Sequence, residues 1–202
     1  MAQDRRLSRN FELAEFPCYQ QATEAQVAAL QETVARVLQP ARDRWGPIVP
    51  TSWMWWSDGC RPRSGPHGVS GGTVDFVALE SDTRDVWEWG KQYLLPSGYI
   101  GRWIYEPARG PDADQPQGEH IHVAPVDDMV AVAGDRRIQA LEETTEGNYR
   151  LALELPPWGT EGDPVELPGF TVTAGGGWLP WVLLAAVAGT LALDPAPPTL
   201  SR

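Results

Sequence analysis

Ser64-Gly-Pro-His67-Gly-Val-Ser-Gly-Gly-Thr-Val-Asp75 is answered further along the chain by Glu119-His120-Ile-His122. These two stretches hold all three histidines of the protein. Each reads as a strand end or a loop. Neutral imidazole and carboxylate are natural ligands of zinc, and three protein ligands with one position left open for water is the catalytic arrangement. His67, Asp75 and His122 are therefore the candidate ligands of a Zn2+ ion. Glu119, three residues before His122, is the candidate base for a metal-bound water. The same residue types also decorate ordinary strand surfaces, and their spacing permits a metal site without requiring one.

The flanking pattern supports short strands. Thr73 to Leu79 alternates, so Asp75 and Val77 share one face while Val74 and Phe76 share the other. His120 to Val123 reads as another strand. A period of two places His120 and His122 on one face and Glu119 on the other, unless the strand begins with a bend at Gly118-Glu119. Two assignments stay open: a bent entry with Glu119 as base and His120 as helper, or His120 acting in place of Glu119. Ile48 to Trp53 reads as a strand leading into the run Trp53-Met-Trp55-Trp56. Tryptophan combines a large apolar face with one donor. Trp55 and Trp56 suit either core packing or a wall against sugar or peptide. Arg61 and Arg63 lie in the Gly- and Pro-rich loop that follows. They suit either a solvated surface or a substrate carboxylate.

The two stretches resemble the family of zinc D-alanyl-D-alanine peptidases, carboxypeptidases and phage endolysins that share their fold with the hedgehog signalling domain. That family carries His-x-x-Gly-x-Ala-x-Asp and then Glu-x-x-His. Here His67, Gly71, Thr73 and Asp75 match the first motif, and Glu119 and His122 the second. Leu7-Ser-Arg-Asn-Phe11-Glu-Leu-Ala-Glu-Phe16 is similar to the amino-terminal signature of the phage-type branch. Trp45-Gly-Pro-Ile-Val-Pro-Thr-Ser52 and Ile104-Tyr-Glu106 resemble its site strands. The likeness covers about residues 7–126. Three departures stand out. His67 and Asp75 are one residue further apart than in the family. Thr73 replaces its alanine. Trp53-Met-Trp-Trp56 replaces a Gly-Tyr-Arg whose arginine holds the substrate carboxylate.

The resemblance implies an α+β fold, a small antiparallel sheet backed by helices, and a peptidoglycan peptide as substrate. It assigns the metal to His67, Asp75 and His122, catalysis to Glu119 and His120, and substrate contacts to Arg61, Arg63, Trp55 and Trp56. The phage-type likeness further implies a virion setting with neighbouring subunits. The alternative is a catalytically inactive relative that is structural or binds the host wall.

Composition narrows the field. A chain of 202 residues holds one domain with a core, plus an appendage. A net charge of −11 excludes binding driven by phosphate neutralisation, so no nucleic-acid partner is expected. Two cysteines, Cys18 and Cys60, make no disulfide framework and read as free thiols. No apolar stretch follows Met1 to Arg6, so a cleaved secretory leader is not expected.

Taken in order, the resemblance makes residues 1–126 a peptidase-like domain. Thr23 and Gln26 make a capping box. Val27, Leu30, Val34, Val37 and Leu38 recur at helical spacing behind it. Pro40 is expected to end or kink that helix. Ser81 to Leu95 reads as a second helix, packing through Val86, Trp87, Trp89, Tyr93 and Leu94. Residues 127–155 form a β-hairpin extension, with strands over Arg136 to Glu142 and Asn148 to Leu155. Residues 156–169 read as a linker. Residues 170–193 carry no charge and read as a C-terminal hydrophobic helix, a membrane anchor or a segment buried among virion subunits. Residues 194–202 form a tail.

Overall fold

The computed structural model describes residues 5–54, 60, 67, 70–110, 117–144, 147–155, 165–167 and 170–172. The first helix, α1 (Glu24–Thr33), begins as its sequence dictates. Thr23 Oγ1 accepts the Gln26 N–H at 3.3 Å, and Gln26 Oε1 accepts the Thr23 N–H at 2.8 Å. The stripe Val27, Leu30, Val34, Val37 and Leu38 is buried. Pro40 does not end the helix. A π-turn (Val34–Leu38) leads into α2 (Gln39–Trp45), with Pro40 in its first turn. The Gln39 N–H reaches back to the Val34 carbonyl. This widened turn loosens the α-helical ladder where proline has no N–H to contribute.

One six-stranded sheet carries the rest of this unit. Its strands are β1 (Ile48–Ser52), β2 (Val74–Ala78), β3 (Ile100–Glu106), β4 (His120–Pro125), β5 (Ile138–Glu143) and β6 (Tyr149–Leu155). Their spatial order is β1-β2-β4-β3-β5-β6. The sheet is mixed, not antiparallel throughout, because β3 and β5 run parallel with Ile104 opposite Leu141. That crossover accommodates a helix absent from the sequence-based reading, α4 (Val126–Ala133). The expected hairpin is present as β5 and β6, and it extends the main sheet.

Register assigns the two faces. Trp103, Val123 and Val74 lie across from one another, as do Tyr105, Ile121 and Phe76. This face is covered by α3 (Thr83–Tyr93), whose cap is Asp82. Trp87 lies tilted against Tyr105, and the Trp87 and Trp103 indoles each donate to the other's backbone carbonyl at 3.3 and 2.9 Å. Gly90 is required here, since a Cβ would stand 2.2 Å from the Trp103 ring. Val86, Trp87 and Leu94 are buried as expected, whereas Tyr93 is exposed and stacks on Trp89. The opposite face presents Asp75, His122, Ile104 and Leu141 in one row, and His120 beside Glu106 in the next.

The cysteines are joined, contrary to the expectation of free thiols: Cys18 and Cys60 form a disulfide with Cα atoms 5.6 Å apart. Spacing along the chain conceals this, because only the fold brings residues 42 apart together. A second unit, residues 159–202, is described only as an antiparallel pair, β7 (Val165–Leu167) and β8 (Phe170–Val172). These strands fall where a linker and the start of a hydrophobic helix were expected. Residues 173–193, the body of the expected anchor, lie outside the described residues. Among the described residues no helix is long and apolar enough to cross a membrane. Replacing Cys18 and Cys60 together by serine should lower unfolding free energy by about 2–4 kcal/mol in urea titrations, as expected for a loop of this size. An unchanged midpoint would mean that the bond constrains nothing.

Candidate metal centre

Three segments deliver the centre. His67 comes from the loop before β2, Asp75 from β2 and His122 from the neighbouring β4, where Asp75 and His122 are directly paired. Asp75 Oδ1 lies 2.8 Å from His122 Nδ1 and 3.3 Å from His67 Nε2. The two imidazole nitrogens are 3.1 Å apart. His67 and Asp75 are buried, while His122 is partly open to solvent. Burial alone would raise the Asp75 carboxyl. Hydrogen bonds from His122 and His67 overcome that penalty and hold it well below the usual carboxylate range.

The arrangement fits a cation. Four ligands at about 2.0–2.2 Å in a tetrahedron lie about 3.3–3.6 Å from one another. The three donors here span 2.8–3.3 Å and form one group that could hold a metal ion. The spare Asp75 oxygen is already used. Ser52 Oγ donates to Oδ2 at 2.5 Å, which leaves Oδ1 turned to the imidazoles. A shift in register between Pro50 and Ser52 brings Ser52 opposite Asp75. Such supporting hydrogen bonds fix the orientation of a ligand. Ser52 has no signal in the sequence beyond its place in the Thr-Ser strand.

Glu119 and His120 separate. His120 shares the ligand face, and its Nε2 lies 2.9 Å from Glu106 Oε2. Its Nδ1 is 2.8 Å from the Gly118 carbonyl. Burial would lower the His120 imidazole, but Glu106, Asp75 and the Gly118 carbonyl together raise it to about 9. Burial likewise would raise Glu106, and His120 outweighs it, leaving that carboxyl below its ordinary value. Tyr149 Oη, from β6, donates to Glu106 Oε1 at 3.2 Å. Glu119 instead accepts the Tyr105 hydroxyl. Tyr105 belongs to the α3 face, opposite the ligands, so Glu119 makes this hydrogen bond on the α3 face.

Glu106 was quoted in the sequence only as a strand residue, because cross-strand register is invisible there. Trp55, Trp56, Arg61 and Arg63 lie outside the described residues. Comparison of the chain with protein-family models, with characterised proteins and with solved structures returns no match.

Equilibrium dialysis should find about one zinc per chain, and His67→Ala or Asp75→Asn should lower that affinity at least about 10-fold. Affinity should also fall as pH drops, because imidazoles must be deprotonated to bind the cation. Asp75 adds little to that slope, since its carboxyl already stands ionised. Zinc affinity unchanged in both variants would dismiss the centre.

Proposed function

We propose that this chain is a zinc-dependent peptidase acting on the peptides of peptidoglycan, with a divergent fold of the hedgehog/DD-peptidase type. The observation that carries the reading is the convergence of His67, Asp75 and His122 from separate segments, in the order of the family motif. A zinc ion at such a centre supplies an acidified water and a Lewis acid for a carbonyl. The chain's own residues then divide the remaining tasks. Asp75, His67 and His122 would hold the cation, and Ser52 keeps Asp75 aimed. Glu106 is a carboxylate on the ligand face that is not itself a ligand, and it is assigned the proton taken from the nucleophile, which it passes to the leaving amine. His120, hydrogen-bonded to it, is assigned the donor role toward developing negative charge. Tyr149 orients Glu106 from outside the stretch that resembles the family. In this reading Glu119 ties β4 to Tyr105 and handles no proton.

One departure favours a second reading. Trp53-Met-Trp-Trp56 stands where the family holds a carboxylate-binding arginine. A non-catalytic subunit that binds the host wall would not need that arginine. In either case the uncharged residues 173–193 are assigned a membrane or a neighbouring virion subunit as partner.

Muropeptide release from purified peptidoglycan separates these assignments. Glu106→Gln should lower kcat by about 100-fold or more, the usual contribution of a general base. Glu119→Gln should stay within a few-fold of the parent. The reverse order would return the base to Glu119. No release by the zinc-loaded parent would favour the wall-binding reading.

A further inference from the structure

The loop between His67 and Asp75 is one residue longer than the pattern it resembles, and it contains Gly71-Gly72. Such a turn has wide conformational freedom unless something removes it. Here it is held from both sides. Asp128, buried in the first turn of α4, accepts the Ser70 and Thr73 hydroxyls, the latter at 2.7 Å. The backbone N–H groups of Gly72 and Thr73 also lie near its carboxylate. The carbonyls of the same turn go elsewhere. Gly72 O accepts Thr33 Oγ1 at 2.7 Å, and Gly71 O accepts the Trp53 indole N–H at 2.5 Å. Gly71 has φ +90°, and a Cβ there would stand 2.9 Å from Gln26. A Cβ on Gly72 would stand 2.8 Å from Pro125.

We propose that Asp128 is a positioning residue for the metal centre: it clamps the Ser70–Thr73 turn so that His67 and Asp75 meet His122. This rests on the metal-binding part of the reading above. Asp128 touches none of the three ligands in the contacts described. Through the Ser70 and Thr73 hydroxyls its oxygens hold the turn that ends two residues before Asp75, where β2 is about to begin. Released, the turn would have to be ordered by the metal itself, and affinity would fall by that cost. The family likeness does not supply this residue, because α4 lies beyond the stretch of resemblance. Thr73, at the position of the family's alanine, adds a hydroxyl that an alanine could not offer Asp128.

The test uses the full chain with Asp128→Asn and Asp128→Ala. The control is Asp135→Ala, which breaks ion pairs to Arg102 and Arg137 at the end of α4 without reaching the turn. Zinc affinity is read by chelator competition, and amide hydrogen exchange at Gly72 and Thr73 is read on metal-free protein. Asp128→Ala should weaken zinc about 10- to 100-fold, as loss of a supporting partner typically does. It should also speed exchange at both amides. Asp128→Asn, which keeps one acceptor oxygen, should recover part of both effects. Asp135→Ala should leave both near the parent values. Equal affinity in Asp128→Ala and Asp135→Ala would overturn the proposal. Should Asp128→Ala fail to fold, unchanged exchange and affinity in Asp128→Asn would overturn it equally. A parent that binds no zinc would defeat the metal reading itself, while exchange at the two amides would still decide whether the clamp exists.

Discussion

A buried carboxylate held between two imidazoles governs this structure. Asp75 sits in the sheet with almost no access to water, and burying such a charge is costly unless it is paired and hydrogen-bonded. His122 reaches it across the β2–β4 ladder and His67 from the preceding loop, while Ser52 reaches it from β1. Remove any one of these and the carboxylate loses part of what offsets its desolvation. The strand order β1-β2-β4 is thus tied to satisfying this carboxylate as well as to hydrophobic burial.

The two sheet faces divide the labour. One is filled by Phe76, Trp103, Ile121 and Tyr105 beneath α3, where the paired Trp87 and Trp103 indoles are mutually satisfied. The other carries polar groups in register: Asp75 with His122, then His120 with Glu106, then Tyr149 reaching in from β6. A rigid apolar backing lets the polar face keep a geometry that loops alone would not. The parallel β3–β5 pairing matters here, since it brings the hairpin alongside the strand that bears Glu106.

Much of this was legible in the residues themselves. The capping box at Thr23, the apolar stripe behind it and the alternation around Asp75 each report local physics, and each element is present. The grouping of His67, Asp75 and His122 was legible because all the imidazole lies in two short stretches. What escaped was long-range. Period two exposed a tension at Glu119, but only register with β3 reveals that Glu106 occupies the face in question. Pro40 reads as a helix stop, yet a π-turn carries the helix past it. The Cys18–Cys60 bond depends on loops meeting in space. Asp128 lies in a helix whose short apolar pattern between Pro125 and Gly134 gave no periodic signal.

A single cation held by three named atoms is what the site is proposed to bind. A crystal of the zinc-loaded chain, with diffraction recorded on either side of the zinc absorption edge, tests it directly. One anomalous peak is expected within about 2.0–2.2 Å of His67 Nε2, Asp75 Oδ1 and His122 Nδ1. A peak elsewhere, or none while these side chains keep the arrangement described, would contradict it.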